Sequence, residues 1–389
     1  FGAAEGLPSP DAQALLDMGR GLLWVGTRDG LWELRPEAPA GQRFRPGHRR
    51  PGGDAANFIR PLLRDSRGRV WVGSRGGGAA VYYPETGRWQ ELSHIEGVAG
   101  QNIRAFAEDR LGRMWVLTAG AGATVVTDPT GGPYRRYDAG TGLGTNALWT
   151  GFRDRAGTLW LGTDDHGLVR VDVRADGPDQ LRRADGRRDR LSIGSITEDA
   201  RGQLWLGSIG EGLLRFDGRR LHALGPKAGL QSNNPYFVRA DAAGRLWLGT
   251  NLGLDCFDPA TGRTVSFGPR EGFLGQETNQ NAVLLEPGGG MWVGTVNGVM
   301  RYEPARARRN NTAPRTLLTG LRVLGQDTTL AAGFSLPPAL NQLTFDFVGV
   351  SLTNPAKVRY QYRLAGFDQG WSRPAAATSA TYTNLPPGD

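Results

Sequence analysis

The chain has one cysteine, four histidines, four methionines and only two lysines (Lys227 and Lys357) in 389 residues. A single thiol, Cys256, excludes an internal disulfide and reads as a small core residue. The histidines (His48, His94, His166 and His222) show no metal-ligand spacing, so no metal or other cofactor is expected. No apolar run approaches the ~18 residues that would span a bilayer, and no signal peptide is visible. Helical periodicity is missing as well, because Gly or Pro breaks the Val-, Leu- and Trp-rich stretches at short intervals. The scarcity of lysine leaves arginine to supply a net charge of +8. Those arginines are scattered over turns and strands rather than gathered in a stripe, which argues against a nucleic-acid partner.

What is abundant is glycine, 59 residues of it, and one phrase recurs seven times. An apolar residue, Trp, another apolar residue and a small pair, usually Gly-Thr or Gly-Ser, surround Trp24, Trp71, Trp115, Trp160, Trp205, Trp247 and Trp292. The spacings are 47, 44, 45, 45, 42 and 45 residues, the signature of a repeat architecture. Each unit reads as four short strands joined by turns, as around Trp205: Ser192–Glu198, Gln203–Leu206, Leu213–Phe216 and Arg220–Leu224. An acid precedes most Trp by six residues, with Gly midway, as in Asp109/Gly112/Trp115. Glu286 replaces Asp before Trp292, and the Asp17/Gly21/Trp24 turn has one extra residue. Small antiparallel sheets of this kind bury their apolar faces by stacking radially. The reading is an all-β chain: a seven-bladed β-propeller over 1–303, a polar linker over 304–314 and a second domain over 315–389.

That second domain has expected strands at Thr316–Leu324, Leu343–Val348, Val358–Leu364 and Ser379–Asn384, and a Pro-Pro-Gly turn at 386–388. It reads as an immunoglobulin- or fibronectin-like β-sandwich, C-terminally incomplete because such sandwiches need about seven strands. The last propeller unit stops at its third strand, Val299–Tyr302, so its outer strand is expected to be truncated. The chain begins and ends mid-phrase and reads as a piece of something longer.

Leu-Trp-Leu-Gly-Thr (159–163 and 246–250), followed by Gly-Leu and Arg-Phe-Asp phrases, resembles the two-component regulator propeller repeat. The tail, with Leu343–Phe347, Tyr360–Asp368, Trp371 and Tyr382–Gly388, resembles the YYY domain that follows those propellers. The resemblance implies the periplasmic sensor region of a bacterial transmembrane receptor, a histidine kinase, hybrid two-component system or diguanylate cyclase. It implies a small-molecule or oligosaccharide ligand, a homodimer formed through the sandwich, and membrane attachment only through segments outside this chain. The fragment itself is expected not to be an enzyme, and no catalytic residues stand out. The alternatives are a glycan lyase or hydrolase on a propeller scaffold, or a protein-interaction scaffold.

Comparing the repeats with one another separates scaffold from candidate site. The Trp and the acid/Gly turn hardly vary and read as structural. The position five before each acid reads Arg60, Arg104, Trp149, Gly194, Tyr236 and Asn281, and should lie near the entrance of the central channel. Arg donors suit carboxylate, sulfate or hydroxyl oxygens, and Trp or Tyr faces stack on sugar rings. Arg60, Arg104, Trp149, Tyr236 and Asn281 are therefore candidate ligand contacts. Arg28, Arg75, His166 and Glu211, on loops between second and third strands, are further candidates. The recurring Asn between units (Asn57, Asn102, Asn146, Asn233, Asn279) reads as a turn brace. The Arg182–Arg190 run reads as a solvated edge.

Overall fold

The structure, a computed structural model, describes residues 1–51, 53–98, 100–186, 190–224, 229–304, 314–329, 335–337, 339–351 and 358–386. Most of the expected linker, the centre of the Arg182–Arg190 run and the end of the Pro-Pro-Gly turn lie outside the described residues. Two compact units are present, Phe1–Ala307 and Arg308–Asp389. Among the described residues no helix is long and apolar enough to cross a membrane.

Among the described residues the first unit shows seven antiparallel sheets, six of four strands in sequential order and the last of three. Their first strands are Ala14–Gly19, Ile59–Arg64, Ile103–Glu108, Leu148–Arg153, Ile193–Glu198, Phe237–Ala240 and Thr278–Leu285. Each packs against the first strands of its neighbours, and Thr278–Leu285 packs against Ala14–Gly19, so the sheets form a ring with these strands innermost. Sheet seven (Thr278–Leu285, Met291–Thr295, Gly298–Tyr302) has Phe1 where a fourth strand would lie. The Phe1 nitrogen donates to the Val299 carbonyl at 2.9 Å, and the Val299 N–H donates back at 2.8 Å.

The repeated phrase has a physical reason at each position. In six sheets the Trp indole N–H donates to the acid six residues earlier, at 2.6 to 3.0 Å. The second carboxylate oxygen of Asp109 accepts the N–H groups of Leu111 and Arg113, so one carboxylate closes the turn and pins the ring. The Gly after each Trp permits close approach of the next sheet. A Cβ on Gly26 would sit 2.7 Å from Ile59 Cγ2, and one on Gly73 would sit 2.7 Å from Ile103 Cγ2. Sheet three carries Leu117 there instead, and the neighbouring inner strand makes room with Gly151, whose Cβ would lie 2.8 Å from Leu117 Cδ1. The following Thr hydroxyl donates to a carbonyl across the loop, as Thr163 does to Gly167 at 2.9 Å and Thr295 to Gly298 at 2.9 Å. Sheet one departs from this pattern. The extra residue in its turn leaves Asp17 exposed, and the buried Trp24 indole N–H has no partner among the described residues.

Among the described residues the second unit forms an antiparallel sheet in the order Gln326–Thr328, Arg315–Val323, Leu343–Val350, Ser379–Tyr382. Its core gathers Phe347, Tyr360, Ala380 and Tyr382. The expected strand at Val358–Leu364 is not formed; only Tyr360 makes a bridge, to Ala375. The segment is held by side chains instead: the Tyr362 N–H donates to the Ser372 hydroxyl, and the Gly349 N–H to the Tyr360 hydroxyl. Leu324 and Asn384 fall outside their strands because their φ values, 48° and 57°, are left-handed.

Asp109 is fully buried and also pairs with Arg113, which bridges to Asp179. Asp109→Ala is expected to cost about 3 kcal/mol, since it leaves the Trp115 indole N–H and two turn N–H groups without their acceptor and removes one of the two carboxylates of Arg113. Asp17→Ala, lacking those partners, should shift the denaturation midpoint only marginally. Burial pushes the Asp241 carboxyl up, but bonds from Trp247 and Arg245 outweigh it and hold it below its ordinary value. Its contribution is therefore complete above about pH 4 and is lost as pH falls through the lowered folded value. An acid titration of stability should show a shallower limb in Asp241→Asn than in the parent.

Candidate functional site

The inner strands are irregular at the ring entrance. Opposite the second strands, Ile103–Ala105 spans two residues where Thr118–Leu117 spans one, leaving Arg104 as the extra residue. Trp149 and Gly194 are the extra residues of sheets four and five in the same way. Sheet two has its shift across Arg60 and Pro61, and sheet seven a longer one across residues 279–282. A bulge takes a side chain out of strict alternation and re-aims it. Here it turns Arg60, Arg104 and Trp149 toward the ring axis, where they line one cavity of about 570 Å³ with Arg28, Tyr236 and Asn281. Asn281 holds a φ of 55°, and its amide donates to the Gly194 carbonyl across the ring at 3.0 Å.

Cations dominate one side. The Arg28, Arg60 and Arg75 guanidinium carbons each lie 5.6 Å from the centre of the Phe58 ring, so one aromatic ring gathers three cations. Arg104 lies 4.1 Å from the centre of the Trp149 ring, and that indole N–H donates to Asp164 at 2.7 Å. Burial, then the fields of Arg104 and Arg75, push the Arg60 guanidinium down to about 10 against the opposing pull of Asp11. Burial and Arg75 likewise lower Arg104, with Asp164 opposing. Arg60 Nε is buried with no partner among the described residues. On the other side burial and a hydrogen bond to Glu277 raise the Tyr236 hydroxyl to about 12, so it stays protonated.

Not every sequence candidate reaches the cavity. Arg75 lies at the rim, beside Phe58. His166 and Glu211 are not among the lining residues; the His166 ring packs over Gly144 in the loop joining sheets three and four. The Asn residues between sheets mostly brace: Asn57 donates to the Gly53 carbonyl, Asn146 accepts from the Ala139 N–H, and Asn279 donates to Asp11. Sequence comparison passed over Asp11, Gln13, Arg239, Glu277 and Gln280, which also line the cavity. Arg239 had a signal: it stands two before its acid, where the other sheets carry Leu63, Ala107, Phe152, Thr197 and Leu284. Its guanidinium, lowered to about 10 by burial alone, donates to the Ser195 hydroxyl at 3.1 Å. Among the described residues no group of three or more metal-binding side chains occurs.

The fold is that of an all-β, propeller-like domain followed by a β-sandwich. The family described as Two component regulator propeller matches residues 97–120, and the Y_Y_Y domain family matches residues 351–389. The chain thus carries both signatures that the repeats and the tail resemble. No curated protein matches it in sequence. Among solved structures it is similar to the extracellular domain assigned to the hybrid two component system BT3049 of B. thetaiotaomicron. That likeness has 22% identity and a TM-score of 0.75, and covers 99% of this chain and 53% of that one. This chain therefore spans about half the length of that structure. It is also similar to virginiamycin B lyase of Staphylococcus aureus, at 13% identity and a TM-score of 0.60, over 77% of this chain and 96% of that one. PorZ of Porphyromonas gingivalis, a surface component of the type-IX secretion system, matches at 16% identity and a TM-score of 0.50, over 86% and 49%. These likenesses, all below a quarter identical, establish the fold.

Proposed function

We propose that this chain is the extracytoplasmic ligand-sensing part of a bacterial two-component receptor, placed in the periplasm, and that its ligand binds at the entrance of the ring. The observation that carries this reading is convergence. Arg28, Arg60, Arg104, Trp149, Tyr236 and Asn281 come from different sheets, and bulged or irregular backbone at several of them directs them into one cavity. A small molecule or oligosaccharide suits that lining, with guanidinium donors for oxygen atoms and a half-buried indole and phenol for ring faces. A ligand there touches several sheets at once. Signalling follows if it binds one arrangement of the receptor better than another, since only differential affinity shifts populations. The lyase neighbours raise the enzyme alternative. The cavity lining has carboxylates and a tyrosine but, among the described residues, no histidine, which favours binding over acid–base turnover.

A thermal-shift screen of the chain against neutral and acidic oligosaccharides is expected to find saturable stabilisation. Trp149→Ala should weaken that binding by about tenfold or more, as loss of a stacked aromatic does. If no saccharide stabilises the protein, the sugar reading falls and a protein partner becomes the better explanation.

A further inference from the structure

The arginines of the cavity differ from buried arginines elsewhere in the chain. Arg69, Arg113 and Arg245 each pair with the acid of their own turn, and Arg50, with its side chain 1% exposed, pairs with Glu91 while donating to the Gly77 and Gly78 carbonyls. Those residues hold the fold, and each meets the carboxylate that a buried cation needs. Among the described residues Arg60, Arg104 and Arg239 make no such pair. The acids whose fields reach the first two are already engaged: Asp11 with Arg28, Gln13 and Asn279, and Asp164 with Trp149. Instead Arg60 and Arg104 face one another's charge and that of Arg75. Arg60 and Arg104 rest on the Phe58 and Trp149 rings, but these contacts supply no carboxylate pair to two neighbouring cations that line an open cavity, and the buried Arg60 Nε is left unbonded. This is the arrangement that receives an anion.

We infer that the ligand carries at least one anionic group, a carboxylate, sulfate or phosphate ester, held by Arg60 and Arg104. The wall opposite completes the description. Tyr236, Glu277 and the unpartnered Asn281 Oδ1 offer mainly acceptors, so the far end of the ligand is neutral or cationic and donates hydrogen bonds, as a hydroxyl-rich end does. This rests on the reading of the cavity as a ligand site and adds the charge of what enters it.

The test uses the purified chain at fixed ionic strength, with a uronic-acid trisaccharide, its neutral counterpart, inorganic sulfate and inorganic phosphate as probes, read by calorimetry. The acidic trisaccharide is expected to bind at least about tenfold tighter than the neutral one, and Arg60→Gln or Arg104→Gln to erase most of that preference while exposed Arg219→Gln leaves it intact. Saturation by sulfate or phosphate in place of the uronate would keep the anion site and reassign the anionic group. Equal affinity for the charged and neutral sugars, or a neutral sugar bound alone, overturns the anion inference while leaving the cavity as a ligand site. Failure of every anion to saturate overturns it as well. Thermal denaturation without ligand gives an independent reading: Arg60→Gln should leave the midpoint unchanged or raise it, whereas Arg113→Gln lowers it by several degrees. A loss in Arg60→Gln as large as in Arg113→Gln would assign Arg60 to packing and overturn its role.

Discussion

The hydrogen bond from the Trp indole to the acid six residues before it, made in six of the seven sheets, is the interaction on which the ring depends. It couples a turn at the end of one strand to the largest side chain of the next, and that side chain packs between sheets. An indole N–H buried without a partner is costly, so the acid cannot drift from its spacing without penalty. The same carboxylate often recruits a following Arg, as in Asp65–Arg69 and Asp109–Arg113, and neutralises it. A unit that satisfies its Trp this way fixes the height and tilt at which the next sheet must arrive. The Gly after Trp then sets how close that sheet comes. The exchange of Gly for Leu117, answered by Gly151 on the neighbouring inner strand, shows that the constraint is on summed volume at the contact.

With the scaffold fixed by these positions, the inner end of each first strand is free to vary. The bulges exploit that freedom. A regular strand would alternate its side chains between the two faces of its own sheet, both of which are packed against neighbours. The extra residue in sheets three and four breaks the alternation where the strand reaches the entrance, so Arg104 and Trp149 project along the ring axis at little cost to the ladder. Gly194, the bulged residue of sheet five, has no side chain to contribute and instead gives its carbonyl to the amides of Gln280 and Asn281 from across the ring.

This division explains what was legible in the sequence. The Trp period, the acid/Gly turn and the four-strand unit are local patterns, and local patterns gave the all-β, propeller-like fold. Repeat-to-repeat comparison also picked out Arg60, Arg104, Trp149, Tyr236 and Asn281, which the structure brings to one cavity, because departures at one register position show up as variation against a fixed frame. Glu277 and Asp11 escaped because they sit on connections, whose lengths differ between units, so no register identifies their counterparts. Phe58 escaped because it reads as an ordinary apolar residue until three guanidinium groups are seen around it. Arg239 was discoverable, as the lone charged residue at its position. The misread segment at Val358–Leu364 failed for another reason: aromatic alternation reports which side chains face a core, and here Tyr360 and Tyr362 do so without a continuous ladder.

Placing unpaired cations at the centre of a ring is unfavourable for the empty protein, and the ring is suited to tolerate it. Most sheets are closed by their own Trp, acid turn and hydroxyl brace, so repulsion among Arg60, Arg75 and Arg104 acts on side chains at the entrance rather than on the contacts between sheets. Under the proposed function, the free energy withheld from the empty state would be available to an anionic ligand, which is the usual relation between strained sites and binding. Geometry adds to this. The cationic side belongs to sheets one to four, and the Tyr236–Glu277 side to sheet six and the connection that leads into sheet seven. A ligand long enough to meet both sides ties opposite arcs of the ring through one molecule. Under the proposed function, binding at that point would act on the spacing of the whole ring, whereas a ligand on a single loop would act on one sheet.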